Sequence, residues 1–225
     1  MVVRSSSMPL EYLTCEQDSY QQANAGCDGL PLRGRGTSPR PFRPLFDLPL
    51  PGWAALSTPR LVAGDSIVDF ELPDHNGNRR RLSELVGGDP AILQFYRGFW
   101  CPKDQAHFRG LVQLQDQVEV AYTRMISLSV DAPEVEAAFR AGIGARWTFL
   151  SDASREIQVQ LGLLETTDTV HRPYIPTVLT LFPNLKIHTA YNGYWFWGRP
   201  TNAELTADLR AITRAIRADW DAPAR

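Results

Sequence analysis

The chain has 225 residues, of which 44% are hydrophobic and 21% charged, with a formal net charge of −2. That balance gives no electrostatic case for nucleic acid or an anionic membrane surface, and no apolar run approaches the ~20 residues that would span a bilayer. Three cysteines (Cys15, Cys27 and Cys101) are too few for a disulfide framework at this length and lack the paired spacing of a structural zinc site. The N-terminus has no continuous apolar segment of the secretory kind, so a reducing, cytoplasmic setting is expected.

Residues 1–61 differ from the rest. "GCDGLPLRGRGTSPRPFRPLFDLPLPGW" is dense in Pro, Gly and Arg and has neither a period of 2 nor one of 3.6. Such a stretch cannot bury enough apolar surface to offset its ordering entropy, and it is expected to be disordered or loosely draped.

From residue 62 the pattern changes. "SIVDFEL" has strand character, and Asn76-Gly77 in "PDHNGNRRRL" signals a hairpin turn of type I′. "RLSELVG" reads as a short helix closed by Gly87. "AILQFY" is a continuous apolar run, as in a strand buried on both faces. After Cys101, the apolar residues Phe108, Leu111, Val112, Leu114 and Val118 mark a helix. "RMISLSV" is a further strand, and "APEVEAAFRAG" a helix with Pro133 near its start and Gly142 after its end. "WTFLSD" reads as a strand and "SREIQVQLGL" as a helix. "PTVLTLF" and "LKIHTAY" form a hairpin, and "TNAELTADLRAITRAIRADW" a closing helix with Thr201 as N-cap and Glu204 at the capping-box position. The order predicts one α/β domain over 62–221: a central mixed sheet flanked by helices, preceded by a β-hairpin.

Cys101 lies where a buried strand hands over to a helix. Unpaired backbone N–H groups and the positive end of the helix dipole favour a thiolate there. Pro102 suits the first helical turn, and Arg97 and Lys103 add positive charge, while Asp104 opposes it. Free cysteine is also among the most buried of residues, so local chemistry leaves a nucleophile and a small apolar core residue equally open.

Four segments in order then carry a resemblance: "GDSIVDFELPDHNGNRRRLSEL", "AILQFYRGFWCP", "FLSDASREIQVQLGL" and "WGRPTNAELTADLRAI". Together they resemble the peroxiredoxin-like branch of the thioredoxin fold, the redoxin or alkyl hydroperoxide reductase/thiol-specific antioxidant family. The resemblance implies a thioredoxin-like fold and a thiol-dependent peroxidase with no metal and no organic cofactor. It would reduce hydrogen peroxide or alkyl hydroperoxides and be restored by an external thiol, of thioredoxin or glutathione type. On it, Cys101 matches the peroxidatic cysteine and Arg155 the assisting arginine. Arg97, Gly98, Trp100 and Pro176 are placed around the substrate. For Arg155 a surface arginine paired with Asp152 or Glu156 stands as the alternative.

The departures are specific. Val68 stands where the family has Pro or Ala. The family's Thr or Ser three residues before the cysteine is Gly98 here, and its Pro seven before is Gln94. Backbone N–H groups from Gly98 to Cys101, or Arg97, would have to replace the missing hydroxyl. "RGFWCPKD" is also similar to redoxins reading R-G-x-W-C-P-x-C, with Asp104 in place of the second cysteine, and "YIPTVL" is similar to their cis-proline segment, at Ile175-Pro176. With no partner thiol at 104, a single-cysteine peroxidase is favoured over a dithiol reductase. A monothiol thiol–disulfide oxidoreductase and a non-catalytic redoxin-fold binding module remain as alternatives. The peroxidase requires an accessible Cys101 with Arg155 in reach of its sulfur, the reductase a cis Pro176 and an exposed groove, the binding module only a buried, inert Cys101.

Other features are weaker. Nothing directs Cys15 or Cys27 to the site. "AYNGYWFWGRP" concentrates Tyr191, Tyr194, Trp195, Phe196 and Trp197, read as local packing at a sheet edge or, functionally, as a homodimer surface. The histidines at 75, 107, 171 and 188 lack metal-ligand spacing, and His107 is expected to lie beyond contact with the site. "NRRRL" reads as a solvated turn, and no nucleotide or flavin motif is present.

Overall fold

A computed structural model describes residues 61–193, 198–217 and 219. The expectations for residues 1–60 and for the aromatic residues 194–197 fall outside them. Leu61 is already buried in the core, and its carbonyl accepts a hydrogen bond from Asn192.

The first two strands, β1 (Glu71–Pro73) and β2 (Arg79–Arg81), pair antiparallel as a separate hairpin, with Leu72 opposite Arg80. Only Gly77 of the Asn76-Gly77 pair is left-handed, at φ +81°. A type I′ turn would need both residues there. Instead the Asp74 carboxylate accepts from the amides of Asn76 and Asn78 at 2.8 and 3.0 Å, which closes a longer loop. The strand read in "SIVDFEL" is confined to its end.

Helix α1 (Leu82–Val86) follows and leads to strand β3 (Ala91–Phe95). Then come α2 (Pro102–Val120), β4 (Arg124–Ser129), α3 (Pro133–Ile143), β5 (Thr148–Ser151), α4 (Glu156–Gln160), β6 (Thr177–Leu181), β7 (Ile187–Asn192) and α5 (Asn202–Ile216). The main sheet has the order β5-β4-β3-β6-β7, with β3, β4 and β5 parallel and β6 and β7 antiparallel. This is the mixed sheet flanked by helices that the residue pattern predicts. Helix α3 runs through Gly142 and ends at Gly144, whose left-handed conformation (φ +72°) caps it. The capping box of α5 forms as expected, with Glu204 N donating to the Thr201 hydroxyl.

Strand alternation decides which side chain reaches the site. Leu93 and Phe95 of β3 face one core with Leu82, Val86, Ile157 and Tyr174. Ile92 and Tyr96 face the other, against Phe108, Leu111, Leu114 and Val118 of α2 and Leu205 and Leu209 of α5. Gln94 lies between them on the α2 side. Removing a side chain such as Phe108, which is fully buried, would cost about 3–5 kcal/mol. Among the described residues no helix is long and apolar enough to cross a membrane.

Candidate active site

Parallel strand β3 ends at Phe95, and residues 96–101 turn its direction into α2. Cys101 is the N-cap of that helix and Pro102 its first residue. The turn is tight: the Cys101 amide donates to the Gly98 carbonyl at 3.1 Å, and Gly98 sits at φ +141°. A Cβ at 98 would stand 2.6 Å from Trp100 Nε1 and 3.1 Å from an Asp131 carboxylate oxygen. Glycine is therefore required by the backbone path. The Phe99 amide donates to Asp131 at 3.0 Å. Two of the amides expected to stand in for the missing hydroxyl are thus already engaged, one within the loop and one by Asp131.

Cys101 is 2% exposed. A thiol so covered departs from the accessible one that the peroxidase reading asks for. What lies beside it is a cation. Arg199, in the loop before α5, reaches the sulfur with Nη2 at 3.9 Å, while its Nε donates to the Asp104 carboxylate at 2.6 Å. Asp104 also accepts the Arg97 amide at 2.9 Å. The side chains of Arg199 and Asp104 are 9% and 1% exposed, so a buried ion pair fixes the guanidinium against the thiol. Nη1 of Arg199 is buried with no hydrogen-bond partner among the described residues.

Asp104 belongs to the buried stripe of α2, one turn before Phe108 and continued by Leu111, Gln115 and Val118. It therefore opposes Cys101 less than its charge alone suggests, because it is neutralised by the arginine it orients. Behind that arginine, His107 lies within 3.1 Å of the Pro200 carbonyl through Nε2 and 3.1 Å from Gln94 Nε2 through Nδ1. Burial pulls its pKa down to about 4, and the bond to the Pro200 carbonyl opposes that shift, so the ring is neutral at physiological pH.

A second group closes over the turn. Arg97 pairs with Asp168 at 2.9 Å and lies 5.0 Å from the centre of the Trp100 ring. His171 stacks on Trp100, with ring centroids 3.9 Å apart, and hydrogen-bonds Asp168. Arg155 has a left-handed backbone (φ 65°) just before α4, and its guanidinium donates to the carbonyls of Arg172 and His171. The structure thus brings Arg97, Gly98, Trp100 and Cys101 together, and sets Arg155 against the 171–172 segment. Pro176 is buried at the start of β6. No cis peptide bond occurs among the described residues, which corrects the expectation for Ile175-Pro176. The chain there runs extended, with the Ile175 amide bonded to Leu163, straight into β6.

Arg199, the role of Asp104 and the placement of His107 were not read from sequence. One signal was available: an aspartate in register with an apolar helical stripe requires a cationic partner.

Comparison with known proteins bears on the family and the fold. The model of the AhpC/TSA family matches residues 63–188. A putative peroxiredoxin of Mycobacterium tuberculosis is 36% identical over 106 residues, covering 46% of this chain and 67% of that protein. Peroxiredoxin Bcp of Escherichia coli is 28% identical over 119 residues, 50% of this chain and 76% of that one. The crystal structure of peroxidoxin BcpB from M. tuberculosis superposes with a TM-score of 0.59 at 24% identity, over 70% of this chain and 99% of that one. That of Enterococcus faecalis AhpC gives 0.60 at 18% identity, over 72% and 99%. At these identities the two structures show a shared fold.

Proposed function

The chain belongs to the AhpC/TSA family, and from that membership we propose that it is a thiol peroxidase, reducing hydrogen peroxide or alkyl hydroperoxides through Cys101. The observation that carries the assignment to this residue is the guanidinium of Arg199 held 3.9 Å from its sulfur by a buried carboxylate. A fixed positive charge in a site with little water stabilises negative charge on the sulfur and on the peroxide oxygens as the O–O bond stretches. Nη1 of the same group, without a partner among the described residues, is a donor for the oxygen that leaves.

The Cys101 thiolate attacks one oxygen of ROOH; an S–O bond forms as the O–O bond breaks. Sulfur loses two electrons to the peroxide, and RO⁻ takes up a proton to leave as water or an alcohol. Cys101 is left as a sulfenic acid. An external thiol then condenses with it, releasing water and giving a mixed disulfide, which a second thiol cleaves. Asp104 in the place of a second cysteine supports this one-cysteine cycle, and the reading puts the protein in a reducing, cytoplasmic setting where such thiols are abundant.

Arg199 takes the role beside the sulfur in this reading. Arg155 acts at one remove, by holding the 171–172 segment whose His171 backs Trp100. Self-association fits a groove of about 820 Å³ between α2 and α3, lined by Phe99, Val135, Phe139 and Ile143. Arg109 and Glu134 also line it.

The test is single turnover. Reduced protein is mixed with hydrogen peroxide or an organic hydroperoxide, and sulfenic acid is trapped and located by mass spectrometry, with Cys101→Ser as control. Stoichiometric trapping at Cys101, far faster than for an ordinary thiol, is expected. A rate no greater than that of a free thiol sinks the peroxidase reading.

A further inference from the structure

We propose that His107 is a positioning residue for Cys101, holding Arg199 against the sulfur through a hydrogen bond to the backbone carbonyl of Pro200. The proposal rests on the peroxidase reading for its purpose, although its geometry does not depend on it.

Arg199 extends from a loop with no secondary structure of its own. Its Nε contact with Asp104 fixes the tip of the side chain, but its base is set by where the backbone at 199–200 lies. One side-chain contact binds that backbone to α2, and a second binds α2 to the first residue of α5 just beyond it. His107 Nε2 meets the Pro200 carbonyl at 3.1 Å, and Asn202 Nδ2 donates to the Gly110 carbonyl at 2.9 Å. The His107 contact lies one residue from Arg199, on the same helix as Asp104 and Cys101. One rigid helix therefore presents the thiol at its N-cap, the carboxylate that holds the guanidinium, and the ring that holds the guanidinium's backbone.

The protonation state follows from the partners. A carbonyl only accepts, so Nε2 carries the proton. Nδ1 faces Gln94 Nε2, which only donates, so Nδ1 is a bare acceptor. A second proton on the ring would set donor against donor at this buried contact. Asp104 and Arg199 act on the ring with opposite sign, and burial favours its neutral form. Gln94 thus does for His107 what a carboxylate or carbonyl does elsewhere: it fixes the tautomer. The two positions act together. Gln94 points to the α2 face of the sheet because of the alternation along β3, and its amide oxygen is left buried without a partner among the described residues, the cost of presenting the amino group to His107.

The experiment compares His107→Leu, which removes the donor, with His107→Gln, whose amide nitrogen reaches about the place of Nε2. Two rates are read on each reduced protein: single-turnover oxidation of Cys101 by hydrogen peroxide, and its alkylation by iodoacetamide. Displacing Arg199 is expected to slow both in the Leu variant, by about 10-fold or more for peroxide. The Gln variant is expected to recover most of the loss. Equal rates in wild type and Leu variant overturn the proposal, and so does an equal loss in both variants, which reports packing alone. If the wild type itself shows no special peroxide rate, the peroxidase reading falls, while the alkylation rates still decide the role of His107. Should the Leu variant not fold, nitrogen NMR of the wild-type ring decides: a neutral Nε2–H tautomer at pH 6 is expected, and a protonated or Nδ1–H ring overturns the assignment.

Discussion

Arg199 and Asp104 form a buried ion pair at the first turn of α2, and the same guanidinium lies 3.9 Å from the sulfur of Cys101. The two contacts are not interchangeable. The carboxylate neutralises an arginine that would otherwise be stranded in the core, and it turns the free face of the fork toward the thiol. Breaking a buried pair from one side leaves an uncompensated charge, which costs about 3–5 kcal/mol.

Asp104→Asn is therefore expected to lower stability by about that amount and, by releasing the guanidinium, to slow peroxide reduction. Arg199→Ala, which removes the cation itself, is expected to reduce the second-order rate constant by about 10²-fold. Arg199→Lys should recover only part, because an ammonium cannot bind the carboxylate side-on and face the sulfur at once. Stopped-flow oxidation and urea unfolding on the three variants check both halves. A full rate in Arg199→Ala would remove Arg199 from the chemistry.

Gly98 sets the path by which the loop reaches Cys101. An alanine there meets Trp100 and Asp131 and must hold φ near +141°, a region that L-residues avoid, at about 1–3 kcal/mol. Gly98→Ala is expected to lose stability in that range and to slow oxidation of Cys101, since the loop shifts rather than the helix. Unfolding by urea and the peroxide rate are the measurements. An unchanged rate at reduced stability would show that the loop relaxes away from the thiol.

Much of this fold was legible because its signals are local. The apolar run of β3, Pro102 and Pro133 at helix starts, and the Thr201–Glu204 capping box each act within a few residues, and each stands where expected. The errors also have local causes. Gly142 and Gly144 are both plausible helix stops, and only the packing of Ile143 against the core chooses the second. The hairpin turn was decided by the Asp74 side chain, which outcompeted the Asn-Gly geometry. The site was legible as far as Cys101 and its turn. Arg199 lies 98 residues away in sequence, in a loop without a period, and nothing in Asp104 says which arginine answers its charge. His107 belongs to the same class: its partners come from β3 and from the entry to α5.

Asp168 ties the segment over the active-site turn to Arg97 and His171. A partly exposed ion pair of this kind contributes about 0.5–1 kcal/mol, or about 2- to 5-fold in the population of open turns. Cys101 is 2% exposed, so a bulky reducing thiol depends on local opening more than a peroxide does. Asp168→Asn is thus expected to speed reduction of the sulfenic acid by about 2- to 5-fold and to lower the yield of sulfinic acid under excess peroxide. Mass spectrometry of Cys101 after defined turnovers measures both. Slower reduction in the variant would mean that the segment helps bind the reductant instead.

Glu136 gives a pH signature that is independent of the thiol. It is buried on α3, where the hydroxyls of Tyr96 and Ser129 meet its carboxyl, and burial pushes its pKa up to about 8 against the opposing effect of those hydroxyls. In the unfolded chain it returns to the ordinary value of 4.5. Between those two values the unfolded chain releases a proton that the folded chain keeps, so folding loses stability as pH rises through the window. Below 4.5 the contribution is fully present, and above 8 no more is lost. Glu136→Gln keeps one acceptor and one donor but cannot ionise, and it is expected to gain on the wild type steadily from pH 5 to pH 8, by a few kcal/mol in all. Groups remote from Glu136, such as His75, titrate in both proteins and cancel in the difference. Urea unfolding of the pair at pH 5, 6, 7 and 8 gives that difference directly, and a value that stays constant across the series would place the Glu136 proton elsewhere.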